Sequence, residues 1–258
     1  MELSAAQIAL LSAVAFFGGT VDAIAGGGGL FTIPALLAVG IPPHLALGTN
    51  KGQSTFGSIA AIVRYRHAGL IDGRTARISF PLAVVGAAAG AALALYLSPG
   101  VLRPIMMLLL IVVAILIATN RIRPRESAGP VGRLAAEIVA AIALAVGFYD
   151  GFFGPGTGTF AIAAFVTLVH LPLGRATAEA KVLNFASNFA AMIIFARAGS
   201  VLWSAAVPMA VAQIFGGFLG AHLVVRGGDR YVRGSLVIVA VAVLLWSAHE
   251  AITGKWLK

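Results

Sequence analysis

Of the chain's 258 residues, 60% are hydrophobic and 10% charged; soluble domains carry about 25% charged residues, so a soluble globular fold is excluded. Cysteine is absent, which rules out disulfides, thiolate metal sites and thiol catalysis. The net charge of +9 is concentrated in arginines of short loops, Arg64 to Arg77 and Arg121 to Arg133, as membrane orientation requires, so nucleic acid is not an expected partner. The alternating ten-residue segments of a membrane β-barrel are missing. Runs such as Ile78 to Leu97 and Val201 to Val225 instead approach the roughly 20 apolar residues of a membrane-crossing helix. An all-α integral membrane protein follows, with the lipid bilayer as its surroundings.

The N-terminus, Met1-Glu2-Leu3-Ser4, lacks the basic stretch of a signal peptide, so the first apolar run is expected to persist as a helix. Five helical segments are predicted in the first half, at 5–25, 29–41, 43–66, 76–97 and 102–119. The second has about a dozen residues, or roughly 18 Å of helix, and cannot cross alone. It is expected to be a half-helix or a re-entrant piece. Residues 121–133, with Gly129-Pro130, read as a polar, helix-breaking cytoplasmic linker between a first membrane repeat, 1–120, and a second, 134–258. The second repeat has predicted segments at 134–153, 158–171, 173–197, 201–225 and 235–252.

The halves are copies. Asp22, Gly26 and Gly28 recur as Asp150, Gly154 and Gly156 at an offset of 128, and Pro42, Lys51, Gly69, Gly86, Gly90 and Arg103 recur as Pro172, Lys181, Gly199, Gly216, Gly220 and Arg233 at an offset of 130. Equivalent loops have opposite charge bias. Arg64, Arg66, Arg74 and Arg77 flank one loop whose counterpart holds Arg197, whereas Arg103 alone corresponds to Arg226, Arg230 and Arg233. Two inverted repeats of about five helical segments each should show this reversal. The N-terminus would then lie outside, although Lys255 and Lys258 at the tail run against that assignment.

Each copy holds a carboxylate, a glycine knot and a lysine inside apolar sequence. Gly26, Gly27, Gly28 and Gly29, and Gly154, Gly156, Thr157 and Gly158, break the helix where only protein or a watery cavity can satisfy the backbone. The short helix after each knot, beginning near Leu30 or Thr159, would turn its N-terminal N–H groups toward an anion. Lys51 shares a helix face with Ser54, Thr55 and Ser58, and Lys181 shares one with Asn184 and Asn188. A lysine at a helix centre costs about 2.5–3.5 kcal/mol to insert. Contact with an anion is the favoured explanation; an ion pair with Asp22, Asp150 or Glu179, or snorkelling to the interface, is the alternative. For Asp22 and Asp150 structural pairing is favoured over proton exchange. No histidines stand at metal-ligand spacing and no nucleophile–base motif is present, so neither metal, cofactor nor enzymatic activity is expected.

Gly18 through Gly29, with Pro34 and Gly48-Thr49-Asn50-Lys51, and Gly147 through Gly158 resemble the sulfite exporter TauE/SafE family of bacterial membrane proteins. The resemblance implies transport of small sulfur-containing anions, such as sulfite or organosulfonates, usually outward across the bacterial inner membrane. It points to the glycine knots and to Asn50, Lys51, Lys181 and Asn184 as the site, with Gln53 and Ser54 on the same face as Asn50 and Lys51. A passive anion channel and, further off, an enzyme acting on an anionic lipid head group are the alternatives to a secondary transporter.

Overall fold

Helices account for every regular element in the computed structural model, which describes residues 3–119, 132–227 and 231. They are α1 (Ala5–Ala25), α2 (Gly29–Ala38), α3 (Pro43–His67), α4 (Gly73–Tyr96), α5 (Pro99–Thr119), α6 (Gly132–Phe152), α7 (Thr157–Thr167), α8 (Leu173–Arg197) and α9 (Trp203–Gly227). Nine of the ten predicted segments are thus present within a few residues of their expected bounds. The tenth, 235–252, and the linker from 121 to 131 lie outside the described residues.

Local chemistry sets the helix ends. Ser4 and Gln7 form a reciprocal capping box at the start of α1, and the helix stops at Gly26, where φ is +76°. α3 and α8 each follow a proline, Pro42 and Pro172, that holds the entering chain extended. α1, α4, α6 and α9 are each long and apolar enough to cross a membrane. α2 and α7 have 10 and 11 residues, roughly 15 Å, about half the hydrocarbon thickness. They are the expected short helices after the glycine knots.

α3 and α8, equivalent by sequence, form the centre and run antiparallel. Thr49, near the start of α3, accepts a hydrogen bond from the backbone N–H of Leu202, just beyond the end of α8 (3.0 Å). Glu179, near the start of α8, accepts one from Asp72, just beyond the end of α3. Halfway along, Ser58 donates to Asn184. The 130-residue offset relates Thr49 to Glu179 and Leu202 to Asp72, so one contact is made twice with exchanged partners.

The flanking helices repeat that exchange. α4 packs mainly on α6 and α8, whereas α9 packs mainly on α1 and α3. Glycines permit the approach: a Cβ on Gly86 or Gly90 would enter the backbone of α6 at Leu144 or Phe148, and one on Gly216 or Gly220 would enter α1 at Phe16 or Thr20. Lipid offers no hydrophobic force between helices, so close backbone packing carries much of the cohesion. Leu10, Phe17, Val85, Leu93, Phe215 and Phe218 point outward as an apolar face suited to lipid. The result is two interlocked bodies, α1–α3–α9 and α4–α6–α8, each mixing elements of both sequence halves.

Gly90→Val and Gly220→Val are therefore expected to lower the thermal midpoint of the detergent-purified protein, with an overpacking cost of about 1–3 kcal/mol each. Gly100→Ala, at a site with no atom within 4 Å of the added Cβ, should leave the midpoint unchanged or slightly higher.

Candidate functional site

The two glycine knots meet back to back. A Cβ on Gly26 or on Gly158 would penetrate the other residue's backbone. Thr159, at the start of α7, donates its backbone N–H to the carbonyl of Gly26 (3.3 Å) and its hydroxyl to that of Ala25 (2.7 Å). The second copy's short helix thereby satisfies carbonyls that the end of α1 leaves open.

Around this junction the four charged side chains of the two copies are cross-paired. Lys51 Nζ on α3 lies 2.7 Å from Asp150 Oδ1 on α6, and Lys181 Nζ on α8 lies 2.6 Å from Asp22 Oδ2 on α1. Lys51 and Lys181 are 1% and 2% exposed. Each pair joins one body to the other, and each carboxylate also engages the short helix that follows it. Asp22 Oδ1 accepts the N–H of Gly28 (3.3 Å), and Asp150 Oδ1 accepts the Thr157 hydroxyl (2.9 Å). The anion expected at each short-helix start is, in this structure, the protein's own aspartate.

A cavity of about 10 Å³ lies between the pairs, lined by Asp22, Asp150, Asn50, Ser54, Asn184 and Asn188 together with glycines of both knots. That is room for about one water molecule. Asn50 Oδ1 accepts from the Thr32 hydroxyl (2.6 Å) and from Gln53 Nε2 (3.1 Å). Asn184 accepts from Ser58 and Lys181 and donates to Asp150. Asn188 is 2% exposed and has no hydrogen-bond partner among the described residues.

The structure brings most of the sequence-predicted residues together. Asn50, Ser54, Asn184, Gly26, Gly29 and Gly154 line the cavity; Gly156 opens α7 with φ +81°; Gly27 accepts from Leu30 in the first turn of α2. Gln53 stands behind Asn50 rather than on the wall. Both lysines sit in ion pairs and neither lines the cavity, so the pairing alternative describes their present contacts. Glu179 binds the Asp72 amide and neither lysine. Thr55 turns its hydroxyl back to the Lys51 carbonyl. Asn188 was legible as a same-face neighbour of Lys181 but not as a wall residue. Ser187, which donates to Asp150 Oδ2, and Thr32 were missed; only their tertiary neighbours distinguish them from packing residues.

Buried, cross-linked charges where two glycine knots meet, inside a bundle of membrane-length apolar helices, define a multi-pass membrane protein of transporter type. The chain belongs to the sulfite exporter TauE/SafE family, whose model matches residues 11–246. It is 37% identical over 254 residues to the "Probable membrane transporter protein YfcA" of Escherichia coli, covering 97% of this chain and 94% of that protein. It is 37% identical over 246 residues to the "Probable membrane transporter protein ORF9" of Sinorhizobium sp, covering 95% and 93%. A "Probable membrane transporter protein" of Haemophilus influenzae is 34% identical over 241 residues, covering 93% and 94%. No solved structure matches the chain significantly.

Removing one member of a buried pair leaves an uncompensated charge, which costs about 3–5 kcal/mol. Lys51→Met and Asp150→Leu are each expected to destabilise the protein by that order, whereas the double variant should lose less than the two losses added. Thermal unfolding of all four proteins in detergent gives the coupling directly.

Proposed function

We propose that the protein is a secondary transporter that moves small sulfur-containing anions, such as sulfite or organosulfonates, out across the bacterial inner membrane by alternating access. The observation that carries this reading is the polar cavity between two bodies that are tied by crossed Lys–Asp pairs. Ionisable groups inside a membrane bundle mark ion and substrate pathways. The amide and hydroxyl groups of Asn50, Ser54, Asn184 and Asn188 suit the oxygens of a sulfonate or sulfite, and each lysine is paired with an aspartate of the same cavity wall. The description of the family agrees with this substrate class.

The cavity is too small for a sulfite ion, so transport requires the bodies to separate. In this reading α1–α3–α9 rocks against α4–α6–α8, with the two glycine knots meeting at the pivot. Antiparallel α3 and α8 are what two inverted repeats would present, the arrangement in which one body rocks against the other about a site between them.

In proteoliposomes, the wild-type protein should show saturable sulfite flux accelerated by sulfite on the opposite side; flux that follows voltage without saturation or counterflow would instead identify a channel. Lys51→Ala and Lys181→Ala should abolish the saturable component. Asn188→Leu, which removes a hydrogen bond to a charged ligand worth about 1.5–3 kcal/mol, should raise KM by roughly tenfold or more. Normal flux in both lysine variants would overturn the site.

A further inference from the structure

We infer that the Asp22 carboxylate is an internal substitute for the transported anion: the anion displaces it from Lys181, which undoes one of the two ties between the bodies, while the Lys51–Asp150 tie stays closed. This rests on the anion-transport reading above.

The two pairs are equivalent by position and unequal in construction. Asp150 receives four donors: Lys51 and Thr157 on Oδ1, and Ser187 and Asn184 on Oδ2. Asp22 receives two, the Gly28 N–H and Lys181. The sequence supplies the reason. Where the second copy has Thr157, Asn184 and Ser187, the first has Gly29, Ser54 and Gly57. Two of these replacements carry no side chain, and Ser54 is hydrogen-bonded by Gln213 at 3.5 Å rather than donating to Asp22. The Asp22 side chain is accordingly 12% exposed, against 2% for Asp150. The cavity is the space it faces.

The unused hydrogen-bonding capacity of the wall points to a ligand independently. Asn188 is buried against the cavity without a partner, and Asn50 has both its carbonyl bonds filled but no acceptor for its amide N–H groups among the described residues. These amides are free to serve whichever anion, substrate or Asp22, Lys181 does not hold. Exchanging one oxyanion for another on Lys181 leaves the buried ammonium paired throughout, which avoids the large cost of an isolated charge. At Asp150 the same exchange would strand three further donors.

The test is sulfite binding to the purified full-length protein, measured by isothermal titration calorimetry. Asp22→Asn removes the competing charge and keeps an acceptor for the Gly28 amide; Asp22→Ser does the same with more space and serves if the first variant folds poorly. Either should bind sulfite at least about tenfold more tightly than wild type, and tight binding by the variant alone would also support the substitution. Asp22→Asn combined with Lys181→Met should lose the gain, and Asp150→Asn should show none. Equal or weaker binding by the Asp22 variants beside measurable wild-type binding overturns the inference while leaving the transport reading intact. A gain as large in Asp150→Asn overturns the claimed inequality. Sulfite binding by neither wild type nor variants removes both.

Discussion

The structure depends on giving two lysines buried within a membrane bundle a counter-charge. Each would cost about 2.5–3.5 kcal/mol at a helix centre without compensation, and the compensation in each case is a carboxylate from the other copy. This fixes more than charge. Lys51 reaches from α3 to Asp150 on α6, and Lys181 from α8 to Asp22 on α1, so each pair sets the separation of two helices that come from different halves. Those constraints hold the glycine knots together, because each aspartate sits four residues before a knot. The close contact of Gly26 with Gly158 and the capping of α1 by Thr159 follow from the same geometry.

Packing outside the site repeats the theme without charge. Gly86 and Gly90 give α4 access to α6, and Gly216 and Gly220 give α9 access to α1. In each case a fourth helix leaves its own half and packs on the first helix of the other. The most extensive helix packing therefore groups α1, α3 and α9 on one side and α4, α6 and α8 on the other, across the two halves rather than within either. A rigid-body motion that kept the halves intact would tear both of these glycine interfaces, whereas motion between the mixed bodies crosses mainly the α3–α8 contact and the ion pairs.

Most of the helical architecture was legible in the sequence, because long apolar runs, prolines at helix starts and glycines at helix ends are local signals. The recurrence of Asp, Pro and Lys at constant offsets was legible too, being a property of the sequence itself. Which copy each lysine pairs with was not: an offset relates Lys51 to Lys181 but says nothing about whether either meets the aspartate of its own half or of the other. The wall of the cavity was half visible. Asn50, Ser54 and Asn184 stood on the lysine face, whereas Gln53 proved to support Asn50 from behind and Asn188 took a place on the wall. Ser187 and Thr32 gave no periodic signal, because a hydroxyl on a buried helix face looks the same whether it donates to a neighbouring carboxylate or to its own backbone.

The exchanged contacts have the form of an isologous interface, in which residue i of one subunit meets j of the other while j meets i. Lys51 with Asp150 and Lys181 with Asp22 satisfy this rule, as do Thr49 with Leu202 and Glu179 with Asp72. Within one half, neither the buried lysine nor the buried aspartate pairs with the other; each finds its counter-charge across the halves. The contacts of the single chain thus follow the rule of an antiparallel pair, and they depart from it in the donors around the two aspartates, four at Asp150 against two at Asp22.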